Sequence, residues 1–422
     1  MTVSVQGDRA DVDVVYHSSR RLRVLVLDEE FPFPLTSGKR IRTWALLSRA
    51  ARDNDVVVLC HGPVNNEAKI AAQVNGIRIV EADPLPIDCG WRLWARLAVN
   101  TFSRFPYSVS KHYSAAFRRE LNTLLCSESF DIVHCEWTPY ARYLNSKLDL
   151  PAIVTTHNVE TQILQRRAQL SDRLVEKAFF TLQALKMRRF EKCVLQRVRS
   201  VTAVSAEDAA QFHEWGVRNV RLVENGADLS EFVPSSDSGD NGTILFLASL
   251  DWYPNQDALL HLLDNIMPSV QQRIPTVRLQ VVGRRAPEWL RLRVSQLRWA
   301  EFIGDVESVQ SWLAHAAVVV VPLRIGGGSR IKILEALAMQ KAVVSTSIGA
   351  EGLRLRPGEH LAIADTPAAF ADEIVRLLSS AAERERLGEC GRNIVTQRYS
   401  WDYAALALQD AWQGCVGTES AC

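Results

Sequence analysis

Three glycines set among three cations are the most chemically suggestive feature of this sequence. In Pro322-Leu323-Arg324-Ile325-Gly326-Gly327-Gly328-Ser329-Arg330-Ile331-Lys332 an apolar run stops at Pro322, the glycines follow, and Ser329 is placed to cap a helix reaching about Gln340. Glycines let a backbone approach an anion closely, and a helix start offers unpaired N–H groups. Arg324, Arg330 and Lys332 add positive charge around the same turn. That combination suits a diphosphate, whereas a triple glycine alone suits a flexible turn equally well. Glu335 follows inside the expected helix, ahead of Ala336, Leu337 and Ala338. A carboxylate there is placed for a sugar hydroxyl beside the phosphates, although helix propensity and a favourable dipole position account for it as well.

Further groups stand in the first half of the chain. Pro32-Phe33-Pro34-Leu35-Thr36-Ser37-Gly38 reads as a turn opening a helix, and Lys39, Arg40 and Arg42 are spaced for a basic first turn. His157 ends the apolar run Ile153-Val154-Thr155-Thr156, and Glu136 ends another that closes at Cys135. Ligands of open parallel sheets bind beyond the carboxyl ends of the strands, so both residues are candidates. Glu136 serves two readings equally: a contact to the hydroxyls of a ligand, or a cap on the next helix.

The elements that must position these groups are legible as apolar runs at 23–28, 55–60, 76–80, 130–135, 151–156 and 200–205, then 244–249, 277–282, 317–322 and 342–346. The first six read as lacking polar alternation, hence as strands buried on both faces of a parallel sheet, and the last four read as a second series of strands. Helix-length segments such as 39–52, 112–127 and 160–199 lie between them. The pattern is α/β: two Rossmann-like doubly wound domains facing across a cleft. The expected division is a tail over 1–20, a first domain over 21–223, a second over 224–398, and a final helix and tail over 399–422.

At this level the sequence resembles the family-4 retaining glycosyltransferases, which have the GT-B fold. The resemblance rests on the glycine-rich loop with Glu335-Ala336-Leu337-Ala338, on Ala342-Val343-Val344-Ser345-Thr346, and on Gly349-Ala350-Glu351-Gly352-Leu353. Asn225-Gly226-Ala227-Asp228 with Phe232 matches the family's inter-domain motif, and Ser400-Trp401 opens a helix that in this fold crosses back to the first domain. The resemblance implies that Val281-Val282-Gly283 and Phe302-Ile303-Gly304-Asp305 line the base and diphosphate pockets. It implies that Gly38 lies at the donor phosphate and that His157 holds the donor sugar near its anomeric carbon. Two departures stand out. Gly327 occupies the place of the first of two family carboxylates, and Ser249 and Pro254 stand where an Arg and a Lys are common. The chain is similar to a subgroup with a Gly-Gly-Gly-Ser-Arg loop, in which Arg330 and Lys332 supply the missing charge.

The resemblance therefore implies transfer of a sugar from a nucleotide-sugar donor to a glycan or lipid-linked acceptor, in polysaccharide or glycolipid assembly. The site set is His157, Arg330 and Lys332 for catalysis; Gly38, Gly283, Ile303, Gly326, Gly327, Gly328, Ser329 and Glu335 for the nucleotide sugar; and Glu136 for the acceptor. No cofactor and no metal are expected. Two alternatives stay open: a nucleotide-sugar epimerase or hydrolase on the same scaffold, and a non-catalytic binding scaffold.

Composition bounds the setting. The 422 residues carry a net charge of +1, which argues against a nucleic-acid partner. Residues 21–200 hold 27 Lys and Arg against 18 Asp and Glu, so the two halves are oppositely charged. A polar opening and no apolar run of about eighteen residues predict a cytoplasmic protein. The eight cysteines include no CxxC pair and read as reduced packing residues. Trp91-Arg92-Leu93-Trp94-Ala95-Arg96 through Phe102, Arg104 and Phe105 mixes aromatics with arginines and no acid, and Arg166 to Arg199 is a second basic stretch. Both suit contact with the anionic inner face of a membrane, and both also suit ordinary core and solvated helix faces.

Overall fold

Runs of Val, Leu and Ile without polar alternation become parallel strands because helices cover both of their faces. The computed structural model describes residues 20–86, 89–144, 149–235, 242–306, 308–326 and 330–417. Among these, the first sheet comprises β1 (Arg23–Leu27), β2 (Asp55–His61), β3 (Ile77–Ala82), β4 (Ile132–Cys135), β5 (Ala152–Thr155), β6 (Ser200–Ala203) and β7 (Val220–Leu222). Its order is β3-β2-β1-β4-β5-β6-β7, and every pairing is parallel. The second comprises β8 (Thr243–Ser249), β9 (Arg278–Arg284), β10 (Ala300–Ile303), β11 (Val318–Val321), β12 (Ala342–Ser345) and β13 (Ala362–Ile363), in the order β10-β9-β8-β11-β12-β13, again all parallel. Two parallel α/β sheets of this kind make a GT-B fold of two Rossmann-like domains.

In the first sheet alternate residues of a strand enter different cores. Val24 and Val26 of β1 enter one core, while Leu25 and Leu27 enter the core on the opposite face. The Trp401–Val416 helix lies on the first of these faces, with Trp401, Leu408, Trp412 and Cys415 buried there. It begins in the second domain and docks on the first, so the chain crosses between domains twice. The two crossings run side by side: the Ala227 amide donates to the Tyr399 carbonyl at 2.9 Å, and Ala227 bridges Ser400 in parallel.

Several elements differ from expectation. The segment 160–199 is two helices, Glu160–Leu170 and Leu174–Leu195, packed on each other. The Ser171 hydroxyl donates to the Arg167 carbonyl at 2.8 Å and helps end the first of them. β7, β10 and β13 are short strands that apolar runs do not mark. Cys60, Cys135 and Cys415 are buried as expected, but Cys89 and Cys126 are exposed. Among the described residues no helix is long and apolar enough to cross a membrane.

Candidate functional site

The carboxyl ends of the central strands in each sheet carry the candidate groups. After β11 the chain reaches Gly326, and the next helix, Ile331–Ala338, starts with Arg330 at its N-cap and no side-chain cap bond. Gly327, Gly328 and Ser329 lie outside the described residues, so the expected Ser329 cap is not described. Gly326 has a steric reason to be glycine: a Cβ there would fall 1.8 Å from Nη2 of Arg330. The Arg330 guanidinium is thus laid against the loop, buried, with its pKa brought down to about 10 by desolvation.

Lys332 and Glu335 follow on the same helix. Lys332 Nζ donates to the Leu247 carbonyl at 2.8 Å and to Asn255 Oδ1 at 3.3 Å. Its ammonium therefore stands between β8 and the Tyr253–His261 helix, the segment where Ser249 and Pro254 leave the family's basic pair missing. Burial depresses Lys332 to about 7, with Arg330 pushing the same way and Glu335 opposing. Burial raises Glu335 to about 7, with Lys332 opposing. The two are an acid and a base held near neutrality within one helical turn.

Arg324 does not join them. Its guanidinium is tied to the carboxylate of Asp257 at 2.6 and 3.1 Å. Gly283 ends the core of β9 beside the turn after β8, where a Cβ would come within 2.7 Å of Leu250 Cδ1 and 2.9 Å of the Ala248 carbonyl. Ile303 closes β10, half-buried.

Across the cleft, Gly38 opens the Gly38–Ala50 helix, whose Ser37 hydroxyl caps the Arg40 amide at 3.3 Å. A Cβ on Gly38 would lie 3.9 Å from Ile331 Cδ1. The first turns of two helices, one from each domain, therefore meet. Their N-termini converge on one region, as an anion site requires. The basic turn expected beside Gly38 is already neutralised. Lys39 Nζ lies 2.5 Å from Asp28 Oδ1, Arg40 pairs with Glu30, and Arg42 is fully buried. Arg42 donates instead to Asn225 Oδ1 at 2.6 Å, to the Val223 carbonyl at 2.7 Å and to the Glu224 carbonyl at 3.2 Å. It binds the first helix to the inter-domain crossing.

Glu136 corrects both of its readings. It is 1% exposed, so it is not available to acceptor hydroxyls, and the Thr138–Tyr143 turn of helix has no side-chain cap. Its carboxylate takes the Thr43 hydroxyl at 2.8 Å and lies 3.0 Å from His134 Nε2 and 3.4 Å from His157 Nε2. Burial alone would raise its pKa, but the hydrogen bond from His134 first, and the Arg42 charge with it, bring it down to about 2. Glu136 is a buried anion that orients its neighbours. His157, mostly buried, places Nε2 2.8 Å from the Glu136 carbonyl. Because a carbonyl only accepts, Nε2 carries the ring proton. Burial pushes His157 down to about 3, so the imidazole is neutral.

The basic stretch from Arg166 has a different task from the expected membrane contact at its beginning. Arg166 makes a bidentate pair with Glu351 at 2.6 and 2.7 Å and donates to the Gly326 carbonyl. Arg167 stacks over Phe180 and over Tyr253, each about 4 Å away. The helix that follows His157 is thereby clasped to the second domain at two points. Among the described residues no cluster of His, Cys, Asp and Glu is arranged to hold a metal ion.

Comparisons with known proteins agree with the two-domain fold. The model of Glycosyltransferase Family 4 matches residues 42–231, and that of Glycosyl transferases group 1 matches residues 241–380. A phosphatidyl-myo-inositol mannosyltransferase of Mycobacterium tuberculosis is 30% identical over 209 residues, 46% of this chain and 54% of that one, so the chain spans about half the length of such relatives. An uncharacterised 44.6 kDa protein in the cps region of Klebsiella pneumoniae is 21% identical over 89% of this chain and 96% of its own. Among solved structures, sucrose-phosphate synthase of Thermosynechococcus elongatus aligns with a TM-score of 0.69 at 17% identity, covering 92% of this chain and 98% of that one. Anabaena HepE in complex with UDP and glucose aligns at 0.68 and 12%, covering 92% and 99%. The two family models match in series over the two sheets, so the chain is similar to family-4 glycosyltransferases along both domains and shares the GT-B fold.

Proposed function

We propose that the protein is a retaining glycosyltransferase that moves a sugar from a nucleoside diphosphate sugar to a hydroxyl of a glycan or lipid-linked acceptor, in the assembly of a cell-surface polysaccharide or glycolipid. One observation carries the reading: a half-buried Lys332, a buried Glu335 and the buried Arg330 guanidinium sit at a helix start that meets, across the cleft, the helix start at Gly38. Glu335 receives the ribose hydroxyls, and Arg330, Lys332 and helix N–H groups meet the charge that grows on the leaving diphosphate. No metal is needed in this scheme. Gly283 and Ile303 line the base side. His157, kept neutral by burial and oriented by the Glu136 carbonyl, faces the donor sugar from the first domain.

The acceptor hydroxyl attacks from the face the diphosphate leaves, and the leaving phosphate accepts its proton, so orientation does most of the catalysis. The first domain, 21–223, handles the acceptor, and the second, 224–398, the donor. Relatives support the choice of substrates: a mycobacterial one is named for mannosyl transfer to phosphatidyl-myo-inositol, and a structural neighbour holds UDP and glucose. The setting is cytoplasmic, with a lipid-linked acceptor presented at the inner face of the membrane. A mass-spectrometric screen of nucleotide sugars against glycan and lipid-linked acceptors tests the reading. It predicts a product heavier than the acceptor by one sugar, with the anomeric configuration of the donor kept. Donor consumption without acceptor, or no consumption of any donor, would overturn it.

A further inference from the structure

We infer that the outward face of the Gly90–Thr101 helix is a docking surface for an anionic lipid bilayer. The inference deepens the reading of a membrane-presented acceptor and uses none of the residues of the sugar site. Within this helix Asn100 is the buried residue, and Leu93 and Leu97 are half-buried. These three, spaced four and three apart, form the inward face.

Trp91, Trp94 and Ala98 recur at helical spacing on the opposite side, and Phe102 continues the stripe just past the helix end. Trp91 is 76% exposed, Trp94 72%, Val99 73% and Phe102 92%. Ordinary core aromatics are not left in water to this extent, and a contiguous apolar stripe marks a contact surface.

The helix is rigidly mounted. Asn100 Nδ2 donates to the Phe105 carbonyl and to the Ser110 hydroxyl, and Gln183 donates to Asn100 Oδ1 at 3.1 Å. Lys186 Nζ donates to the carbonyls of Asn100 and Thr101 at 2.7 and 2.9 Å. The outward aromatics are therefore presented by a fixed element and not by a loose loop.

Charge selects the partner. From Cys89 to Arg119 the sequence has no Asp or Glu, while Arg92, Arg96, Arg104, Lys111, Arg118 and Arg119 are basic. Arg92 lies over the Trp91 ring at 5.9 Å and Arg104 over Phe105 at 4.7 Å. Aromatic rings flanked by arginines suit the boundary between acyl chains and headgroups, where the ring enters the apolar layer and the guanidinium stays with phosphate.

Position supports the same partner. The helix follows β3 and leads to His112, whose Nε2 lies 3.0 Å from Glu29, just beyond β1. The surface is thus on the strand-end side of the first sheet, the side that carries Glu136 and His157. A bilayer held there brings lipid-linked hydroxyls to the cleft.

Co-sedimentation of the full chain with phosphatidylcholine vesicles, with and without phosphatidylglycerol, tests this in the absence of any sugar. Binding is expected to the anionic vesicles only, and to be lost at about 1 M salt. Trp91→Ser with Trp94→Ser and Phe102→Ser, and separately Arg92→Glu with Arg96→Glu and Arg104→Glu, should each weaken binding about tenfold or more. Circular-dichroism melting should stay unchanged, because the altered groups are exposed. Equal binding to neutral vesicles, or wild-type binding by both variants, overturns the inference. So does self-association of the wild type that the Trp variant abolishes, since the stripe would then be an interface between copies. Failure of vesicle binding leaves sugar transfer untouched, and failure of transfer leaves the vesicle result standing.

Discussion

Gly226 lies where the two crossings between domains touch, and replacing it with alanine separates them. A Cβ at this position would lie 2.7 Å from the Ser400 carbonyl carbon, 2.7 Å from the Trp401 nitrogen and 3.0 Å from the Ser400 oxygen. All three are backbone atoms, so no side chain can swing aside. Ordinary contact needs about 0.7 Å more than the geometry allows, and overpacking of this kind costs about 1–3 kcal/mol. At about 2–4 °C per kcal/mol, the melting temperature of Gly226→Ala should fall by several degrees. Gly304→Ala, where nothing lies within 4 Å, is the control and should melt like the wild type. The displaced strands carry the bond between Ala227 and Tyr399 and lie beside Asn225, which Arg42 holds. The domains therefore reorient, moving His157 relative to Glu335. A shift approaching 1 Å in such an arrangement costs up to about a hundredfold in turnover. Nucleoside diphosphate affinity, measured by calorimetry, should fall much less than turnover, because apart from Gly38 its residues are in the second domain. Unchanged melting and turnover would refute the steric reasoning. Parallel loss of affinity and turnover would mean that the second domain is disrupted, and not that the two domains are turned.

The Lys332–Glu335 pair predicts a maximum near pH 7 in affinity for the nucleoside diphosphate. Below it the raised Glu335 takes up a proton and stops accepting hydroxyls, and above it the depressed Lys332 loses its charge, so affinity falls at up to about tenfold per pH unit on each side. Glu335→Gln should lower affinity about tenfold and flatten the acid limb, and Lys332→Met should flatten the alkaline limb; calorimetric profiles unchanged by both would remove the pair from the site. His157→Ala should abolish transfer and spare nucleotide binding, and equal loss of both would assign it a structural role. Arg166→Ala and Glu351→Gln should each slow transfer, with a double-mutant coupling of about 1–2 kcal/mol for a bidentate, partly buried pair; additive effects on turnover would show that the clasp is idle.

Much of the architecture was legible because burial on both faces leaves its mark on composition. β1, β2, β8, β11 and β12 each hold an unbroken apolar run, and no helix packed on one side needs that. The short strands β7, β10 and β13 left no such mark; β10, for example, contains an exposed Glu301. The break between Glu160–Leu170 and Leu174–Leu195 was missed because it uses neither Gly nor Pro. The glycine-rich loop, Glu335 and the helix start could be read locally, since an anion site at a helix N-terminus is built from neighbours in sequence.

What each charge does was a different matter. Lys39, Arg40 and Arg42 looked alike in sequence, yet two are neutralised by the acids after β1 and the third holds the crossing at Asn225. Glu136 became a buried anion because Arg42 and Thr43 of the first helix and His157 beyond β5 converge on it beside its strand neighbour His134. Arg166 found Glu351 185 residues away, across the cleft. By itself the sequence determined which stretches are buried, because hydrophobic burial is a property of composition and period. Only the tertiary structure decided which charges face a ligand and which face each other, because electrostatic partners are chosen by distance in space and not by distance along the chain.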